Sequence, residues 1–96
     1  MTLLKIAVRT ICNDRLFSAD GANILFNYLI LEINKLNYSE EVEIEIDFDG
    51  VPLVSTSFIG RFHERMNFTK TNYKIAKFRL RNLKPEIKRQ FLKNDV

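Results

Sequence analysis

The sequence predicts an α/β fold: a small, mostly parallel sheet with helices chiefly on one face, in the order βαβαβα. Three observations predict it. Val42, Ile44, Ile46 and Phe48 alternate with Glu43, Glu45, Asp47 and Asp49, the period of a half-buried strand. Ala22, Leu25, Phe26, Leu29, Ile33 and Leu36 fall on one face when residues are set at about 100° intervals, as in an amphipathic helix. Strand-like and helix-like stretches then follow each other by turns, which predicts parallel strands joined by right-handed crossovers. Parallel sheets covered on both faces read as unbroken apolar runs. These strands alternate, so the second face of the sheet should be polar or covered by a partner.

The first strand is expected at residues 3–9, with Leu4, Ile6 and Val8 inward and Lys5 and Arg9 outward. Residues 10–17 form a connection containing Asn13-Asp14. Ser18 is the expected cap of a first helix at 19–36. Ile24, Tyr28 and Leu31 make a second apolar stripe on a different face of that helix. It packs under a neighbouring element or serves as an interaction surface. A polar turn at 37–41 leads to the second strand, 42–48. Asp49-Gly50 and Pro52 punctuate, and Ser55, Thr56 and Ser57 are N-cap candidates for a second helix at 56–67. A loop at 67–72 precedes a third strand at 73–81, with Ala76, Phe78 and Leu80 inward and Lys77, Arg79 and Arg81 outward. Pro85, a favoured first-turn residue, opens a third helix that ends near Lys93 and buries Ile87, Phe91 and Leu92. If the second and third strands are neighbours, Glu43, Glu45 and Asp47 lie across from Lys77, Arg79 and Arg81. Such cross-strand pairs contribute roughly 0.2–1 kcal/mol each.

The 96 residues suffice for one domain with one core. A hydrophobic content of 46%, with eight Phe, argues against disorder. Three Gly and two Pro leave no room for a linker, and no internal repeat is evident. Cys12 is the only cysteine, which excludes an intramolecular disulfide and leaves a cysteine-based zinc site unsupported. Residues 3–8 are too short for a signal peptide. Asn23, Asn27, Glu32 and Asn34 interrupt the first helix, so no membrane span and no membrane partner is expected. A reducing cytoplasm fits this composition. The net charge of +3 hides an asymmetry. Residues 1–60 hold four Lys/Arg against nine Asp/Glu, and residues 61–96 hold eleven against three.

The central stretch carries a resemblance. Asp47-Phe48-Asp49-Gly50-Val51, followed by Val54-Ser55-Thr56-Ser57-Phe58, looks like the bacterial STAS-like domain family of unknown function. Members of that family resemble the STAS domains of anti-sigma-factor antagonists. The pattern is an apolar strand ending in Asp-Phe, a Gly-Val step, and Ser-x-Ser-Phe opening a helix. The helix opening at Ser18 and the run Asn82-Leu83-Lys84-Pro85-Glu86-Ile87 also fit. Residues 1–96 then read as a single STAS-like domain. The resemblance implies a regulatory protein–protein interaction module rather than an enzyme, with an anti-sigma-like ATPase or kinase as partner class. It lays the phosphoacceptor position on Thr56, with Ser55 where an Asp usually stands and Ser57 just after. The chain departs again at Gly60-Arg61, where relatives often carry acidic residues.

The residues themselves allow plainer uses. One hydroxyl among Ser55, Thr56 and Ser57 serves as the N-cap. The others face a helix N-terminus, where the dipole and free N–H groups favour an anion, and Arg61 is near enough in sequence to contact one. Asp47 and Asp49 share a strand face, but no third ligand for a metal is evident. His63 is expected on the surface and Cys12 in the core. No phosphate loop, hydrolase motif or zinc spacing occurs, and no cofactor is expected. The reading is a cytoplasmic interaction module. Its partner surface comprises Pro52, Val54 and Arg61, with Ile24, Tyr28 and Leu31 from the first helix. The alternative is a basic adaptor that binds nucleic acid through the third strand and Lys84, Lys88, Arg89 and Lys93. Whether the chain self-associates is left open.

Overall fold

A computed structural model describes residues 2–36 and 41–94, the last two by backbone only. The elements run β1 (Thr2–Ala7), α1 (Val8–Cys12), α2 (Ala19–Asn34), β2 (Val42–Asp47), α3 (Thr56–Asn72), β3 (Ile75–Arg81) and α4 (Pro85–Asn94). The strands form one parallel sheet in the order β1-β2-β3. This is the small α/β architecture that the alternation of elements predicts.

The pleat sorts β2 as its sequence requires. Val42, Ile44 and Ile46 are buried, and Glu43, Glu45 and Asp47 lie half-exposed on the other face. On the apolar side Phe62 of α3 is the hub of a ring cluster. It meets Phe26 of α2 edge-on at 5.1 Å and Phe91 of α4 at 5.2 Å, and it also contacts Phe48 and Phe58. Edge-on and offset ring pairs add about 0.5–1.5 kcal/mol each beyond the area they bury. These rings tie three helices and the end of β2 into one core with Ile6, Leu25, Leu29, Ile44 and Ile46.

The opposite face carries Lys5, Glu43, Glu45, Lys77, Arg79 and Arg81. Arg79 pairs with Glu43 at 2.8 Å and Arg81 with Glu45 at 3.1 Å. The expected charge pairing of the second and third strands therefore forms. Each arginine reaches one pair back along the strand, since the register sets Arg79 beside Glu45 and Arg81 beside Asp47.

Several boundaries differ from expectation. The first strand ends at Ala7, and Val8–Cys12 turn into a short helix that buries Val8 and Cys12. Ser18 occupies the N-cap of α2 but makes no side-chain cap bond, and the helix stops at Asn34. The expected turn before β2 falls outside the described residues, apart from Glu41. No loop occupies 67–72, because α3 continues to Asn72. Thr69 and Thr71 hydroxyls donate to the carbonyls of Arg65 and Asn67, and Asn72 donates to that of Phe68. These polar side chains satisfy themselves within the helix instead of breaking it.

Ala76 does not face inward. A register shift at Val42/Glu43 makes it the extra residue of a bulge, so Ile75 takes the inward place and Ala76 is exposed. On α4, Ile87 and Phe91 are buried, but Leu92 is 68% exposed. Ile87 and Phe91 stand four apart on one helical face, and the next residue turns about 100° away from it.

Candidate functional site

The loop from β2 to α3 is held from three sides. At its start the Asp47 carboxylate accepts from the Asp49 backbone N–H at 2.9 Å and from Asn82 Nδ2 at 2.8 Å. The Asn82 and Asp49 hydrogen bonds, helped by nearby Arg81, hold the Asp47 carboxyl below its ordinary value despite partial desolvation. Asn82 has φ 57°, a left-handed conformation that Asn tolerates, and this turns its amide toward Asp47. Gly50 follows at φ 78°. The Arg9 guanidinium packs so closely there that a Cβ on residue 50 would lie 2.7 Å from one of its nitrogens. The positive φ is what favours glycine at that turn, since the exposed Arg9 side chain can move aside.

At the far end the Ser55 N–H donates to the Leu16 carbonyl at 3.1 Å. Gln90 of α4 donates to the Val54 carbonyl at 2.7 Å. The Ser55 hydroxyl accepts from Phe58 N–H at 3.0 Å, so Ser55 is the N-cap of α3. Thr56 and Ser57 stand exposed in the first turn beside it. Of the three hydroxyls, one is spent on the helix and two face solvent.

The other predicted site residues fall out as follows. Pro52 is exposed, together with Leu53, which sequence reasoning did not single out. Val54 is 3% exposed and belongs to the core, not to a contact surface; its apolar side chain is the inward anchor of the loop. Arg61 is half-exposed. It donates to Asn23 Oδ1 at 3.3 Å and pairs with Glu64 at 3.5 Å. Arg65, one turn on, donates to Asn23 and Asn27 at 3.1 and 2.8 Å. The α2–α3 seam thus closes with asparagines on one helix and arginines on the other. Ile24, Tyr28 and Leu31 belong to another flank of α2.

His63 is not a surface residue. It is half-buried, edge-on to the rings of Phe62 and Phe91, with Nε2 buried and without a hydrogen-bond partner. Packing of α4 against α3 covers it, which α3 periodicity alone does not reveal. Cys12 is buried, donates to the Gly21 carbonyl at 3.3 Å, and has its thiol pushed up to about 11 by burial. That suppresses thiolate chemistry at neutral pH. Asp49 lies beyond β2 in the turn, so Asp47 and Asp49 form a turn bond rather than a strand-face acid pair. Among the described residues no three His, Cys, Asp or Glu side chains group to hold a metal ion.

Of the basic set, Lys84, Lys88 and Arg89 are exposed, with Arg89 Nε turned to the Pro85 carbonyl at 3.4 Å. The Lys93 side chain lies outside the described residues. Arg79 and Arg81 are engaged by glutamates. No helix among the described residues is long and apolar enough to cross a membrane.

Compared with models of known families, with curated proteins and with solved structures, the chain matches none.

Proposed function

We propose that the chain is a non-enzymatic regulatory module that works by protein–protein contact in the cytoplasm, as its resemblance to STAS-like domains implies. Its surface is the β2–α3 junction, with Pro52, Leu53, Thr56, Ser57 and Arg61 presented on a braced loop. Thr56 is the phosphoacceptor and an anti-sigma-like ATPase or kinase the partner class.

One observation carries this reading: Ser55 alone caps α3, leaving the Thr56 and Ser57 hydroxyls exposed at its N-terminus. A phosphate there adds roughly −1.5 to −2 charges at the end of the helix that favours anions. Losing a cap would offset that gain, but Ser55 keeps the cap whether or not Thr56 is modified. The fixed loop supports a binding role, since little ordering entropy is left to lose on association. The raised Cys12 thiol supports a non-catalytic role for that residue. The nucleic-acid reading has less support, because Arg79 and Arg81 are committed to Glu43 and Glu45.

The test is capture of partners from the native host with wild type, Thr56→Glu, Ser57→Glu and Thr56→Ala. The expected outcome is a captured ATPase-type protein whose yield drops with Thr56→Glu and is kept with Thr56→Ala. If neither glutamate changes any captured protein, the switch is refuted.

A further inference from the structure

We infer that the outer flank of α2 is a two-fold contact surface for a second copy of this chain. Two sides of α2 are accounted for. Ala22, Leu25, Phe26, Leu29 and Ile33 face the core. Asn23 and Asn27 take the flank toward α3, where Arg61 and Arg65 bond to them. At about 100° per residue, the side opposite the core carries a stripe of Asp20, Ile24, Tyr28, Leu31 and, at the C-cap, Lys35. It points outward and away from α3. Tyr28 is 41% and Leu31 62% exposed, and Ile24 is half-buried.

The stripe is complementary to its own reverse. Laid antiparallel on itself, Ile24 meets the other copy's Leu31 and Leu31 meets the other copy's Ile24. Tyr28 lies beside the axis. Asp20 then meets the other copy's Lys35 at both ends. A parallel arrangement would set Asp20 on Asp20 and Lys35 on Lys35, so charge selects the antiparallel one. An apolar centre with opposite charges at its two ends is what an isologous interface needs, because each residue must match a different residue of the same surface. A membrane surface would instead favour basic residues along the polar margin, and Asp20 opposes that. Lys35 already holds Glu32 at 3.3 Å on an exposed helix end, a pair worth little against solvent and free to be shared. This inference does not rest on the regulatory reading, since the β2–α3 junction is a separate surface.

The test is sedimentation equilibrium of the full chain from about 1 to about 300 µM. Wild type should self-associate to a dimer. Leu31→Glu should weaken the dimer by about tenfold or more, and Asp20→Lys or Lys35→Asp by about fivefold each. The double change Asp20→Lys with Lys35→Asp should restore the wild-type constant to within about twofold, as expected for directly coupled sites. Melting curves check each fold, and Tyr28→Ser replaces Leu31→Glu if that variant does not fold. A wild type that stays monomeric throughout overturns the inference. So does a dimer indifferent to the stripe substitutions, or a double change that fails to restore association. Partner capture by Thr56 variants reads out separately, so the two proposals fail independently.

Discussion

Arg79 reaches past Glu45, its neighbour in the β2–β3 register, to pair with Glu43 at 2.8 Å. Arg81 repeats the move with Glu45. Each arginine bonds the glutamate one pair back along β2 rather than its register neighbour. On each bridge the acid is less exposed than the base. The open face therefore carries a ladder of two crossed ion pairs, which puts two basic residues of the second half to structural use against two acids of the first.

The ladder should be worth little per rung. Partly exposed ion pairs contribute about 0.2–1 kcal/mol and are screened by salt. A double-mutant cycle of Glu43→Gln and Arg79→Met, read by urea unfolding, should give a coupling energy in that range. It should shrink at high salt. A coupling that grows with salt would contradict an electrostatic origin.

The cap at Ser55 should behave unlike its two neighbours. Ser55→Ala removes the acceptor of the Phe58 N–H and should cost about 1 kcal/mol of unfolding free energy. Thr56→Ala and Ser57→Ala change exposed side chains and should stay within about 0.5 kcal/mol. Chemical denaturation of the three variants separates these outcomes. Equal losses at all three positions would refute the division of labour on which Thr56 depends as a modification site.

Much of the fold is legible in the sequence because the pleat of β2 is written without interruption. Each of its acids faces out and each of its aliphatics faces in. The errors fall where local signals compete with distant ones. Val8 continues the alternation of β1, yet the chain turns helical there because Val8 and Cys12 find burial on one helical face. Thr69, Thr71 and Asn72 have low helix propensity, yet their side chains bond back into α3. The bulge at Ala76 leaves no mark in composition. At the candidate site, the hydroxyl run at 55–57 is visible in sequence. The bracing of the loop by the Leu16 carbonyl, Asn82 and Gln90 is not, because those partners come from three other stretches of the chain. Gly50 was the one available signal, since Asp-Gly marks a turn that needs positive φ.

Acid should weaken the tie between β2 and β3. The folded state holds the Asp47 carboxyl below its ordinary value of 3.8. A carboxylate depressed by folding stabilises the native state at pH above its unfolded value. That contribution is lost as pH falls through the lowered folded value. Asp47→Asn can keep an acceptor for Asn82 and Asp49 while removing the charge. The gap in thermal midpoint between wild type and Asp47→Asn should be largest near neutrality and should close as pH falls below 3.8. A gap that widens in acid would contradict the sign.

Two glycines should respond oppositely to alanine. Gly21 is buried in the first turn of α2, and a Cβ there would fall 1.7 Å from the Arg15 carbonyl oxygen. Backbone stands in the way, so relief requires moving the 13–18 connection. That would disturb the Leu16 carbonyl, which holds the Ser55 N–H, and the Cys12 bond to the Gly21 carbonyl. Gly21→Ala should therefore cost about 3 kcal/mol or more, the range of strained or overpacked sites. Gly60 lies exposed inside α3 with nothing within 4 Å of its would-be Cβ. There alanine only reduces the freedom of the unfolded chain, and Gly60→Ala should stabilise by about 0.5–1 kcal/mol. Urea midpoints of the two variants decide the matter. A tolerated Gly21→Ala would mean that the connection can yield, and with it the Leu16 brace that holds the start of α3 beneath Thr56.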